Sequence, residues 1–193
     1  QPSEALAYWT KLGDADACMR VLRQRGTELV ASGRVRPVVD AAQVIPGDER
    51  PSDIDALAGE AWLLLGEWDE AMACYRRALR GRRKVPAGLA WRIGLLHHLR
   101  GELDDAVAAY DGGDESDPDL AARALLLSWS AGARWLRGDL ERCRSLASDA
   151  LTAARASGDH RALANAHTVS AMVAALDGDR DANDAHYLRA LDH

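Results

Sequence analysis

The chain has 193 residues, a length suited to one domain or one compact array. Alanine (37) and leucine (26) dominate, valine plus isoleucine come to 13 and phenylalanine is absent, which argues against a sheet-based fold. The 48% apolar content argues against global disorder. Net charge is −6, and residues 101–193 carry 9 basic and 17 acidic groups, so the second half is a poor surface for nucleic acid.

Arginine (22) far outnumbers lysine (2), a bias that points to a GC-rich bacterial genome. Cys18, Cys74 and Cys143 are far apart and odd in number, which fits a reduced, cytoplasmic protein better than a disulfide scaffold. No apolar run approaches the roughly 18 residues of a membrane span, and no signal peptide is visible. The chain starts at Gln1 and stops inside a helical pattern, so it reads as a piece of a longer protein.

Along the chain, residues 1–51 read as an irregular helical hairpin with linker helices. Five turns then set the organisation: Gly13-Asp14, Gly66-Glu67, Gly101-Glu102, Gly138-Asp139 and Gly178-Asp179. The later spacings of 35, 37 and 40 residues are those of stacked helical hairpins. In each turn Gly ends one helix in the left-handed region and the acid starts the next at its positive dipole end. Between the turns, Ile54, Leu57, Ala58, Ala61, Trp62 and Leu65 form one helical stripe, and Trp68, Ala71, Met72, Tyr75, Ala78 and Leu79 another. The predicted hairpins cover about 52–81, 86–113, 118–158 and 159–193, the last cut short. Pro86 and Pro118 suit the first turn of a helix, and Asp117 is the predicted N-cap of the helix starting at Pro118.

The best copy, with Gly59, Trp62, Gly66, Ala71, Tyr75 and Ala78, resembles the tetratricopeptide repeat. The next keeps Gly94, Gly101, Ala106 and Tyr110, with His97 at the aromatic position. The following copies keep Ala131, Gly138 and Ala150, then Ala171, Gly178, Tyr187 and Ala190; the first, with Trp9, Gly13 and Cys18, diverges most. The resemblance implies an all-α fold, a right-handed superhelical array of antiparallel helix hairpins. The stretch Cys18–Pro46 also resembles the helical segment after the ATPase and winged-helix parts of large LuxR-type, maltose-regulator-like transcription factors. That second resemblance implies a regulatory module between a signal-transducing ATPase and a C-terminal helix-turn-helix, where DNA contact would lie outside this piece.

Chemical signatures are few. No phosphate loop, H-E-x-x-H, C-x-x-C or G-x-S-x-G is present, so no enzyme activity, cofactor or metal is expected. The acids Asp177, Asp179 and Asp181 with Asn183 mimic the start of a calcium loop, but Ala182 and Leu188 stand where Gly and Glu are required. Arg76, Arg77, Arg80, Arg82, Arg83 and Lys84 form a basic run without interleaved aromatics, read as helix-end cations and an exposed loop. His97 and His98 point about 100° apart, and His160 and His167 are seven apart, giving no compact site by themselves. The cysteines read as small apolar fillers.

In the repeat family the first helix of each hairpin lines the concave face. Carried over residue by residue, that register places Glu60, Leu64, Trp91, Leu95, His98, Ser128, Trp135, Thr168 and Met172 toward a groove, with Asn165 a further candidate. Apolar surface with a few polar groups suits a peptide or small molecule, although Trp91 and Trp135, as large aromatics, equally fit plain packing between hairpins. The leading reading is a non-catalytic regulatory module that senses an effector or self-associates as a homodimer. The alternative is a protein–protein scaffold taking a peptide or helix, with neither membrane nor nucleic acid as its partner.

Overall fold

A computed structural model describes residues 2–193. The described chain is all-α: eleven helices follow one another with no strand between them. They are α1 (Pro2–Leu12), α2 (Ala15–Ala31), α3 (Val35–Val44), α4 (Ser52–Leu64), α5 (Trp68–Ala78), α6 (Ala87–Leu99), α7 (Leu103–Asp111), α8 (Leu120–Arg137), α9 (Leu140–Ser157), α10 (His160–Leu176) and α11 (Arg180–Leu191). Short connections pair successive helices into hairpins, as in tetratricopeptide-like repeat arrays.

The predicted turns lie between helices. Gly66 (φ 81°) and Gly138 (φ 77°) occupy the left-handed region, which only glycine enters without a Cβ clash. The acids that follow fall into two kinds. Asp14, Asp139 and Asp179 cap the next helix, each accepting from the backbone N–H three residues on. Glu67 and Glu102 occupy the same position without a side-chain cap. Their longer side chains do not curl back onto the helix start.

Asp117 departs from expectation. Helix α8 begins at Leu120, and its cap is Asp119, which accepts from the Ala122 N–H at 3.0 Å. The Asp117 carboxylate instead accepts from the backbone N–H of Ala87, 2.9 Å away, and so serves the start of α6 from 30 residues downstream. Pro118 therefore precedes the helix rather than opening it.

The chain forms two compact units, Gln1–Arg82 and Arg83–His193. In the first, α1 to α5 enclose Leu6, Leu22, Leu29, Val38, Ile45 and Ile54, all at most 1% exposed. Asp55 is also buried, and its carboxylate accepts from Arg77 Nε at 3.0 Å and pairs with Arg50 at 3.5 Å. Gly59 lies against the ring of Tyr75, where any Cβ would overlap it. In the second unit α6/α7, α8/α9 and α10/α11 are hairpins, and α8 also packs against both α6 and α10. Gly94 meets the Tyr110 ring as Gly59 meets Tyr75. The core between them is rich in alanine, which lets helix axes approach closely, with Trp91, Tyr110, Leu126 and Leu146 filling the wider gaps.

Candidate binding site

Helices α6, α8 and α10, the first of each hairpin in the second unit, lie side by side. Their adjoining stripes bound an apolar hollow of about 220 Å³. Helix α8 contributes Ser128, Trp129, Gly132, Trp135 and Leu136, helix α10 contributes Asn165, Thr168, Val169 and Met172, and α6 contributes His98. The spacings of three and four residues on α8 and α10 are those of one helix face. Gly132 forms part of the floor, and nothing lies within 4 Å of the Cβ it lacks.

The polar side chains of the hollow are largely spent on their own helices. Ser128 Oγ donates to Ala124 O at 2.7 Å, Thr168 Oγ1 to Ala164 O at 2.9 Å, and Asn165 Nδ2 to Arg161 O at 2.9 Å. His98 differs: its Nδ1 is buried with no hydrogen-bond partner, and its ring meets Trp129 edge-on at 6.1 Å. Burial pushes the His98 pKa below its ordinary value, so the imidazole is neutral at neutral pH. The hollow therefore offers indole and aliphatic surface, one neutral imidazole and no charged wall.

The structure brings His98, Ser128, Trp135, Asn165, Thr168 and Met172 to this one hollow. Trp91 and Glu60 are elsewhere. Trp91 is 1% exposed, with the guanidinium carbons of Arg92 and Arg161 at 4.4 and 4.8 Å from its ring centroid, so it is a core side chain. Glu60 belongs to α4 in the first unit, and Leu64 on the same helix is exposed. Sequence reasoning missed Trp129, Gly132, Leu136 and Val169. Gly132 could have been found, being four residues past Ser128 and three before Trp135 on one face.

Other predicted features have local partners. Within the basic run, Arg77 holds Asp55, Arg82 donates to Ala78 O and Ser52 Oγ, and Lys84 pairs with Asp114. Asp177 ends α10, Asp179 starts α11, and Asn183 Nδ2 donates to Ala171 O at 2.8 Å. The thiols of Cys18, Cys74 and Cys143 are buried, and burial raises their pKa values. His97 Nδ1 lies 2.6 Å from Glu102 Oε2, and Asp105 lies close to both. Those carboxylates occupy the start of α7, where the helix dipole favours them. No helix among the described residues is long and apolar enough to cross a membrane.

No family model matches the chain. Two solved structures of MamA are similar in fold. One superposes with a TM-score of 0.61 at 12% identity over 91% of each chain, the other with 0.60 at 14% identity over 86% of this chain and 92% of that one. The structure described as the functional characterisation of Pseudomonas aeruginosa pilF gives 0.53 at 15% identity, over 97% of this chain and 90% of that one. These likenesses establish a tetratricopeptide-like repeat fold. In sequence, the chain is 32% identical over 97 residues to the Protein CTR9 homolog of Arabidopsis thaliana, 49% of this chain but 9% of that protein's length.

Proposed function

We propose that this chain is a protein-interaction scaffold whose second unit seats an apolar side chain of a partner in the hollow between α6, α8 and α10. The size and lining of the hollow carry this reading. At about 220 Å³ it falls below the roughly 300–1,000 Å³ of pockets that enclose small-molecule ligands. It exceeds the about 150 Å³ in which an apolar cavity holds a benzene ring. One phenylalanine, leucine or tryptophan side chain, presented by a helix or an extended peptide, matches that space. Ser128 and Thr168 spend their hydroxyl donors and Asn165 one amide N–H on their own helices, so few donors remain to orient a polar metabolite. A tetratricopeptide-like fold is consistent with the same reading, because repeat arrays present extended binding surfaces.

The alternative of an effector-sensing piece of a LuxR-type regulator rests on the Cys18–Pro46 resemblance alone. The segment forms α2 and α3 of the first unit, whereas every residue of the hollow belongs to the second.

Peptide display against the full chain tests the proposal. Selected peptides are expected to share one large apolar anchor. Gly132→Leu places a side chain where a Cβ meets open space, on the stripe of α8 that lines the hollow. It is expected to weaken the selected peptides by about tenfold or more, the effect of losing about 1.4 kcal/mol or more. Peptides that bind Gly132→Leu as tightly as the parent chain would refute the reading.

A further inference from the structure

Four of the six histidines gather at the last hairpin, although the sequence spreads them from 160 to 193. His167 on α10 and His186 on α11 face each other with their Nδ1 atoms 2.9 Å apart. His160 and His193 approach in the same way, Nδ1 to Nδ1 at 3.3 Å. The rings form a continuous series, with centroids 5.4 Å apart from His160 to His193, 6.1 Å from His193 to His167 and 5.2 Å from His167 to His186.

These separations suit a shared cation. Two imidazole nitrogens at about 2.0–2.1 Å from a zinc ion lie about 2.9 Å apart at a right angle and about 3.3 Å apart at the tetrahedral angle. We propose that the α10–α11 hairpin carries a site for a late first-row divalent transition-metal ion, with His167 and His186 as its preformed ligands. His160 and His193, both exposed, rotate to complete the shell. Imidazole sets of this kind favour zinc, nickel and copper over magnesium or calcium.

Two further observations support the assignment. Burial, followed by the charge of His186 and then those of Arg189, Arg155 and His193, depresses the pKa of His167, and burial with the same arginines depresses that of His186. Both rings are then in the neutral, ligating form at neutral pH. The one Nδ1 that carries the shared proton needs only to pass it to its own Nε2 through solvent. In addition, α11 has no buried residue. Its contacts with α10 include the bond from Asn183 to Ala171 O and the histidine pair, beside the half-buried Ala182 and Ala190. A metal held from both helices would clamp the hairpin.

The test is zinc titration of the full chain without an affinity tag, followed by calorimetry. One equivalent is expected to bind. His186→Gln, half-buried on a helix with no core residue and therefore compatible with folding, should weaken binding by roughly 100-fold, the upper end of what is lost when even an outer-shell partner is removed. Paired His160→Ala and His193→Ala should weaken it by about tenfold. Glu102→Gln, which alters the His97–Glu102–Asp105 group, should leave it unchanged. No stoichiometric uptake, uptake that survives His186→Gln, or uptake lost in Glu102→Gln would each overturn the proposal.

Discussion

At the scale of single residues, the fold depends on glycines that admit aromatic rings and on one buried charge. A Cβ at Gly94 would overlap the Tyr110 ring. Gly94→Ala is therefore expected to cost about 1–3 kcal/mol through overpacking and to lower the melting temperature by roughly 2–4 °C per kcal/mol. Gly132→Ala has the opposite sign, because nothing lies near its missing Cβ. It should raise stability by roughly 0.5–1 kcal/mol through helix propensity. Thermal melts of the two variants check both signs. Asp55 is 2% exposed and is held by Arg77 and Arg50. Asp55→Ala leaves two cations without their buried partner, an expected loss of about 3–5 kcal/mol by denaturant unfolding. Part of this scale was legible in the sequence: the repeat register marks Gly59 and Gly94 as small positions and Tyr75 and Tyr110 as aromatic ones, while their ring-on-glycine contacts are seen only in the fold. For Trp91 the sequence left groove and inter-hairpin packing both open, and its 1% exposure decides for packing. Its helix position gives a direction, but the guanidiniums of Arg92 and Arg161 that flank it come from packing that spacing does not specify.

At the scale of elements, the helix starts carry different strengths. Asp119, Asp139, Asp159 and Asp179 each accept a backbone N–H at the start of their helix. Asp159→Ala should cost about 1 kcal/mol, whereas Glu67→Asp should add a cap to α5 and raise the melting temperature slightly. The turns themselves were readable because a left-handed residue selects glycine. The displacement of the α8 cap from Asp117 to Asp119 was not, because the carboxylate of Asp117 is drawn to the start of α6 by a contact 30 residues away. The last hairpin has a pH dependence. His167 and His186 titrate in the fold below their ordinary value of 6.5, chiefly through burial, with Arg155, Arg189 and His193 also facing the pair. The unfolded chain therefore binds more protons as pH falls. Their contribution is complete above about pH 6.5 and is lost as pH drops through the window between that value and the folded-state pKa. The melting temperature should fall on going from about pH 7.5 to pH 5.5, and should fall less in the doubly substituted His167→Gln, His186→Gln chain. An equal fall in both would contradict the assignment.

At the scale of the molecule, the class of fold was open to sequence reasoning because alanine-rich helices with a regular turn period have few other solutions. The hollow was open only in part. The repeat register pointed α8 and α10 to one face and found Ser128, Trp135, Asn165, Thr168 and Met172, but it could not say which of those side chains would border a space and which would be packed over. The histidine cluster was not legible at all, since no helical period relates His167 to His186; the turn at Gly178 brings them together. The hollow between α6, α8 and α10 is the proposed contact surface. Its most direct test is the indole N–H resonances in a nitrogen-15 spectrum while a display-selected peptide is titrated in. The signals of Trp129 and Trp135 are predicted to shift saturably, with those of Trp9, Trp62 and Trp68 of the first unit unmoved. Saturable shifts confined to Trp9, Trp62 or Trp68 would contradict the account and place the contact surface in the first unit.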